Sequence, residues 1–144
     1  MKLEDIEDMI ITKEKEYWSK GSEDKIAYSK YVQYITNSDY FVWVEETSAG
    51  IEALQLIDKY PDSVRERVLN AHNKKKACAD YNQIGDYYEM ILFYLDGSGH
   101  IDVQIQKTTT KEHLWELLQL ANFVEANLMI SGDIIINESV IANL

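Results

Sequence analysis

The chain has few of the residues that build several common kinds of site. Cys78 is the one cysteine among 144 residues, which excludes an internal disulfide framework and a cysteine-rich zinc or iron–sulfur site. One proline and six glycines argue against a linker-rich or low-complexity chain. No apolar run approaches the roughly 20 residues of a membrane-spanning helix, and the N-terminus is too acidic for a signal peptide. We therefore predict a cytoplasmic protein that forms a single domain over residues 1–144.

Positive charge is also scarce, and it is unevenly distributed. The 14 Lys and Arg residues stand against 25 Asp and Glu residues, which gives a net charge of −11. Residues 1–62 carry −7 and residues 80–144 carry −8, whereas residues 63–79 carry +4. The positive residues of this basic island are Arg65, Arg67, Lys74, Lys75 and Lys76. A net negative field repels nucleic acid and anionic membranes and speeds encounter with a basic protein, although acidity also serves solubility alone.

Hydrophobic periodicity predicts mainly helices in the first half of the chain. They are expected over Leu3–Lys20, from Ser22 to about Asn37, from Ser48 to just before Pro61, and from Pro61 to about Cys78. In the third of these helices, Ile51, Leu54 and Ile57 are expected to point inward. The aromatic and β-branched run Tyr40–Val44 predicts a strand that is covered on both faces.

The second half predicts two hairpins and one long helix. The hairpin strands are expected over Tyr87–Leu95 and His100–Lys107, and over Leu128–Ile130 and Ile134–Ile136. Thr109 and Glu112 offer a capping box for a helix whose apolar face extends to Leu128. The element order ααβααββαββ predicts an α+β domain with a mainly antiparallel sheet of about four to five strands.

None of the motifs tested indicates a catalytic, metal or cofactor site. The histidines His72, His100 and His113 fall in different predicted elements without His-x-x-x-His spacing. The chain contains no nucleophile elbow, Walker loop or dinucleotide fingerprint. Cys78 follows three lysines, but no motif links it to a histidine base, which favours a structural role. We therefore predict a protein that is not an enzyme and holds no cofactor and no metal. The competing interpretation is an enzyme built around His100, Asp102 and Cys78.

The remaining unusual feature is the mixture of acidic and aromatic residues near strand ends. Ten tyrosines contribute to an aromatic content of 11%. Tyrosine buries a large area while keeping a polar tip, and next to carboxylates it suits a basic, arginine-rich partner through charge pairing and cation–π contacts. The candidate partner-binding residues are Asp39, Tyr40, Glu45, Glu46, Asp80, Tyr81, Asp86, Tyr87 and Glu89.

These observations favour a small acidic inhibitor, an immunity protein or antitoxin that neutralises a basic toxin, with a nuclease as the favoured target. A phage-encoded inhibitor of a nucleic-acid-binding defence complex would bind its partner through the same charge pairing. The alternative from another class is an adaptor or secretion-chaperone-like module, which would be a dimer with exposed apolar grooves. We expect a basic protein partner, no nucleic acid, no membrane, and a monomer or weak homodimer. The basic island is interpreted as a solvated face opposite the binding site.

Overall fold

The computed structural model describes residues 1–14, 24–71, 73–131 and 133–144. Within these residues the chain forms seven strands and five α-helices. The strands are β1 (Met9–Thr12), β2 (Val42–Trp43), β3 (Lys76–Asn82), β4 (Tyr87–Leu95), β5 (His100–Ile105), β6 (Asn127–Ile130) and β7 (Ile134–Ile136). The helices are α1 (Tyr28–Asn37), α2 (Ser48–Gln55), α3 (Asp62–Ala71), α4 (Lys111–Phe123) and α5 (Glu138–Ala142). Three short 3-10 helices cover Leu3–Asp5, Val44–Glu46 and Ile57–Lys59.

The strands form one antiparallel sheet in the order β2-β3-β4-β5-β1-β6-β7. The prediction of an α+β fold with an antiparallel sheet is confirmed, but the sheet has seven strands, not four to five, and the element order differs. Both predicted hairpins are present, as β4–β5 and β6–β7. The register of each hairpin follows from residues that are close together in the sequence. The turn and the alternation of apolar and polar residues along the strands together fix which residues pair.

The first predicted helix is wrong in its described part, because Met9–Thr12 forms strand β1. This strand lies between β5 and β6, and all four of its residues are buried. A strand that is buried on both faces shows a continuous apolar run, and such a run also matches helical spacing. Residues 15–20 of this predicted helix and residues 22–23 of the second lie outside the described residues. The described part of the second helix begins at Tyr28, so its predicted start is wrong for residues 24–27.

The helix predicted up to Cys78 ends earlier, at Ala71, and Lys76–Asn82 forms strand β3. Pairing with β4 buries three consecutive small residues, of which Cys78 is the middle one. The capping residue of α4 is Thr110, one position after the predicted one, and the helix ends at Phe123. The boundary between α3 and β3 depends on pairing with β4, which overrides local propensity. The start of α4 is set locally, by hydrogen bonds between Thr110 and His113.

Burial also differs from the prediction around β2 and α2. Strand β2 has two residues; Trp43 is buried, but Val42 is 37% exposed. Ile51 and Leu54, expected to point inward, are 48% and 37% exposed. The reason is that α2 packs chiefly against the neighbouring 3-10 and α3 segments and lies at the margin of the main core.

The main core lies between one face of the sheet and helices α1, α4 and α5. Its largest side chains form an aromatic cluster in which Tyr31 contacts Trp43 edge-on and stacks on Tyr94, with ring centroids 5.6 Å apart in each case. The Tyr31 hydroxyl donates to the carbonyl of Lys75 at 2.8 Å. Helix α1 is thereby bonded directly to the residue that precedes β3.

Candidate functional site

Acidic and tyrosine side chains meet at the end of the sheet where β2 begins and β3 ends. Strands β2 and β3 pair Val42 with Cys78, and beyond this pair the Asp80 carboxylate lies close enough to act on the Tyr40 hydroxyl. Burial raises the pKa of the Tyr40 hydroxyl, and the carboxylates of Asp80, Glu112 and Glu116 raise it further. The first turns of α4 therefore lie against the same end of the sheet and add two carboxylates to it.

We call this region the acidic–tyrosine surface. It comprises Asp39, Tyr40, Asp80, Tyr81, Asp86, Tyr87, Glu89, Glu112 and Glu116. Two clefts beside α4 open on it, and Tyr81, Asp86 and Tyr87 also line a third, beside α2. One, of about 500 Å³, lies between the β3–β4 hairpin and the start of α4 and includes Asp80, Tyr81, Glu89 and His113. The other, of about 410 Å³, lies between α1 and α4 and includes Asp39, Tyr40 and Glu116.

Asp80 is held in place by a buried histidine. The Nε2 atom of His113 lies 2.7 Å from an Asp80 carboxylate oxygen, and the two side chains are 3% and 47% exposed. His113 Nδ1 accepts a hydrogen bond from the Thr110 backbone N–H at 3.2 Å, so Nε2 carries the proton that is donated to Asp80. Both ring nitrogens are engaged in these bonds, so in this arrangement His113 positions Asp80 and does not serve as a general base.

The β3–β4 hairpin holds further acidic groups in fixed positions. Asp80 and Asp86 have left-handed backbone angles of φ 59° and 55°, which interrupt the regular alternation of side chains. The Asn82 amide donates to the Glu89 carboxylate at 2.9 Å, and Tyr81 donates to Asp86. Ile84, at the tip, is fully exposed. The hairpin thus presents ordered carboxylates beside tyrosine rings and an unburied aliphatic side chain.

Seven of the nine predicted partner-binding residues belong to the acidic–tyrosine surface, and two do not. Tyr40 precedes β2, whereas Glu45 and Glu46 come after it. They lie in the 3-10 segment near the other end of the sheet. Burial raises the pKa of Tyr28, and the nearby Glu45 carboxylate adds to the rise; the Tyr28 hydroxyl donates to the carbonyl of Lys74. Glu112 and Glu116 were missed, because the sequence does not show that α4 packs beside β3.

The basic island does not form a single solvated helix. Arg65 and Arg67 lie on α3, whereas Lys76 begins strand β3. Arg65 lies 3.6 Å from the Asp62 carboxylate, and Lys75 pairs with Asp96. These partly exposed pairs contribute little to stability, so the main consequence is that the positive charge is divided between two elements.

The proposed alternative active site is not assembled by the fold. Cys78 is buried, which raises the pKa of its thiol to about 12 and disfavours the thiolate nucleophile. The strand registers align Cys78 with Ile91 and His100 with Leu95, four residues apart along β4, or roughly 13 Å. His100 is also buried, which lowers its pKa. Cys78 and His100 are therefore too far apart to act as nucleophile and base.

Glu116 makes the stability of the fold depend on pH. Desolvation and the neighbouring Glu112 carboxylate raise the pKa of Glu116 above its ordinary value of 4.5. Because the folded state binds the proton more tightly, this group destabilises the protein as pH rises through that pKa. Replacing Glu116 by Gln is expected to stabilise the fold by about 0.2–0.5 kcal/mol at pH 7, the cost of a like-charge i,i+4 pair. The gain should vanish below pH 4.5, as measured by urea unfolding across pH.

Glu125 provides a control of opposite sign for this measurement. Its carboxylate bonds to Lys30 at 2.7 Å, which lowers its pKa. Glu125→Gln should therefore destabilise the fold at pH 7, with the loss disappearing as pH falls below the ordinary value of 4.5. If Glu116→Gln gave the same pH profile as Glu125→Gln, the proposed repulsion between Glu112 and Glu116 would be wrong.

Comparisons with protein-family models, with curated proteins and with solved structures found no match to this chain. The residues that the structure describes contain no group of three or more His, Cys, Asp or Glu side chains arranged to hold a metal ion. Across the same residues, no helix has the length and apolar character needed to cross a membrane.

Proposed function

We propose that the protein is a non-enzymatic inhibitor that binds a basic protein through the acidic–tyrosine surface. The observation that carries this proposal is the convergence of carboxylates and tyrosines from β2, the β3–β4 hairpin and α4 on one end of the sheet. An immunity protein or antitoxin directed against a nuclease is the class that fits this chemistry best. A phage-encoded inhibitor of a nucleic-acid-binding defence complex would use the same surface.

The fixed positions of the carboxylates support such a role. Asp80 is bonded to His113, Glu89 to Asn82 and Asp86 to Tyr81. Carboxylates that are already ordered lose little conformational entropy when they pair with Lys or Arg side chains of a partner. The inhibitor would occupy the positions that substrate phosphates take in a nuclease, and its net charge of −11 would speed the encounter.

Tyr40 adds a polar group that a partner could use. Its hydroxyl oxygen is buried and accepts or donates no hydrogen bond among the described residues. The ring lies edge-on against Phe41 at 5.1 Å, which fixes its orientation. A buried hydroxyl without a partner is costly, and because the oxygen is closed off from solvent, a binding partner would bond to it only after neighbouring side chains move.

The direct experiment is to purify the product of the gene adjacent to this one and to measure its binding and activity. We expect a one-to-one complex with a basic protein whose activity, nuclease activity in the leading case, is lost on binding. Raising NaCl from about 50 to about 500 mM should weaken binding at least tenfold, because exposed charges are screened. Absence of a complex, or affinity that does not change with salt, would overturn the proposal.

Neutralising the surface should weaken this complex much more than neutralising other acids. The test variant replaces Asp39 and Asp80 by Asn and Glu112 by Gln. Asn at position 80 retains an acceptor for His113 and tolerates the left-handed backbone. We expect affinity to fall by about 100-fold or more, since close charge pairs at such interfaces couple by about 1.5–7 kcal/mol.

The matched control removes the same net charge away from the surface. It replaces the exposed residues Glu52, Asp58 and Glu66 by Gln, Asn and Gln. Only long-range attraction is lost in this variant, so its affinity should fall by less than about fivefold. Equal losses in the two variants would show that net charge, and not the acidic–tyrosine surface, governs binding.

A second candidate function, an adaptor or secretion-chaperone-like module, is favoured by one other feature. A groove of about 650 Å³ lies between the start of α2 and strands β3 and β4, and its lining includes Val44, Ala49, Tyr88 and Ile91. It shares Tyr81, Asp86 and Tyr87 with the acidic–tyrosine surface. A groove of this size and apolar character can hold side chains of an extended segment. An Ala49→Trp variant that abolished binding of the adjacent gene's product, with the charge-neutralised variant unaffected, would favour this function over inhibition.

A further inference from the structure

The cleft between α1 and α4 has aromatic walls that are open to solvent. Two of its lining side chains are Tyr34 and Phe123, whose ring centroids lie 5.3 Å apart with an angle of 50° between the ring planes. Phe123 is 40% exposed, although phenylalanine is usually buried. The volume of about 410 Å³ falls within the range of about 300–1,000 Å³ that is usual for ligand pockets.

The negative charge that lines this cleft has no positive partner. Asp39 and Glu116 form no hydrogen bond and no ion pair with the described residues, and Glu116 is partly buried. Burial raises the pKa of Tyr34, and the Glu116 carboxylate raises it further, which places this carboxylate near the Tyr34 ring. A partly desolvated carboxylate without a cation is costly, so a cation that enters the cleft would recover that cost.

The end of helix α1 adds to the negative potential of the cleft. The helix ends at Asn37, which lines the cleft, and its last turn contains no basic residue. The C-terminal end of a helix carries a partial negative charge. No Lys or Arg among the described residues lines this cleft, whereas Lys107 lines the neighbouring cleft beside the β3–β4 hairpin. Of these two clefts, the one beside α1 therefore favours a cation more strongly.

We propose that this cleft receives one arginine side chain of the basic partner. The inference rests on the proposed function, because it assigns one contact within the acidic–tyrosine surface. A planar guanidinium can stack on the rings of Tyr34 and Phe123. It can also donate hydrogen bonds to the carboxylates of Asp39 and Glu116. Lysine fits less well, because its ammonium is a compact and strongly hydrated point charge that does not stack.

The cleft can be tested without the partner, using N-acetyl-arginine amide as the probe. Titration into ¹⁵N-labelled protein should give a dissociation constant on the order of 1 mM, since so small a ligand makes few contacts. The largest shift changes are expected at residues 33–40 and 116–123. The lysine derivative should bind at least about fivefold more weakly, and the uncharged citrulline derivative at least about tenfold more weakly. Equal affinities of the three derivatives, or shift changes confined to other residues, would contradict the proposal.

Two substitutions separate the contributions of charge and ring. Glu116→Gln removes the carboxylate charge with little change of shape and should weaken probe binding at least about fivefold. Phe123→Leu keeps an apolar side chain but removes the exposed ring, and should weaken binding at least about threefold.

The matched control is Glu52→Gln, which removes one exposed carboxylate from α2. Its affinity for the probe should stay within about twofold of the unsubstituted protein, because only long-range attraction changes. Equal losses in Glu52→Gln and Glu116→Gln would show that net charge, and not the cleft, attracts the probe. The ¹⁵N spectrum of each variant reports directly whether it is folded.

Free arginine distinguishes a protein side chain from a small-molecule ligand. It carries an α-carboxylate, which the carboxylates of the acidic–tyrosine surface repel, whereas the acetylated amide has uncharged ends. We therefore expect free arginine to bind more weakly than N-acetyl-arginine amide. Tighter binding of free arginine would assign the cleft to a small molecule and overturn the proposal.

The complex with the adjacent gene's product separates failure of this inference from failure of the proposed function. Phe123→Leu should weaken this complex at least about fivefold, since arginine contacts often dominate interface energies. A complex weakened by the substitutions at Asp39, Asp80 and Glu112 but not by Phe123→Leu would refute the arginine contact and leave the proposed function in place. Absence of any complex would overturn the proposed function itself, even if the arginine derivative binds.

Discussion

Replacing Tyr31 by Ala is expected to lower the free energy of unfolding by about 3–5 kcal/mol, the range for removing a large aromatic side chain from a core. Tyr31 is completely buried, and its ring contacts those of Trp43 and Tyr94. The substitution would leave a cavity between α1 and strand β3. We expect the surrounding side chains to fill only part of it. Urea unfolding followed by circular dichroism measures the loss.

Tyr31→Phe separates the contribution of the hydroxyl from that of the ring. The Lys75 carbonyl, which accepts from Tyr31, also accepts from the backbone N–H of Tyr94 at 2.9 Å. This carbonyl therefore keeps a partner in the variant, and the loss should be about 0.5–1.5 kcal/mol. Equal losses in Tyr31→Phe and Tyr31→Ala would contradict the view that ring packing is the dominant contribution.

Replacing His113 by Leu is expected to cost about 2–4 kcal/mol, although Leu fills a similar volume. The His113 ring accepts from the Thr110 N–H, and the Thr110 hydroxyl accepts from the His113 N–H, which together cap helix α4. The substitution removes one of these bonds and the bond to Asp80, and it leaves a backbone donor at the helix start without its partner. Thermal unfolding monitored by calorimetry is the measurement.

Asp80→Asn tests the same contact from its exposed side. The Asp80 side chain is 47% exposed and Asn keeps an acceptor for His113, so stability should change by less than about 1 kcal/mol. Binding of a basic partner should nevertheless weaken, because the carboxylate charge is lost. A loss of stability as large as that of His113→Leu would mean that the charge of Asp80, rather than the cap of α4, stabilises this region.

Features set by nearby residues could be predicted from the sequence. The β4–β5 hairpin follows from an apolar run, the turn at 96–99 and an alternating strand, all within 21 residues of one another. Five of the candidate site residues, between Asp80 and Glu89, lie on one hairpin and so remain together in the structure. Local pattern is sufficient in both cases, because the partners are close along the chain.

Features set by distant residues could not be predicted in this way. Strand β1 resembles a helix in sequence, and only its position between β5 and β6 makes the extended form favourable. Glu112 and Glu116 join the site because α4 packs beside β3, which no local signal reveals. Glu45 is separated from Tyr40 because a strand and the segment after it carry them to opposite ends of the sheet.

The central position of β1 has a consequence for how the molecule folds. Strand β1 precedes the other described strands in the sequence, but its neighbours are residues 100–105 and 127–130, which are synthesised much later. On the ribosome, β1 can take its place in the sheet only after residues 127–130 have emerged. Such pairing between distant segments makes folding slow, and until it is complete the edges of β5 and β6 are open to other chains. We therefore expect refolding to be rate-limited by insertion of the N-terminal strand, and yield to decrease when nascent chains are crowded.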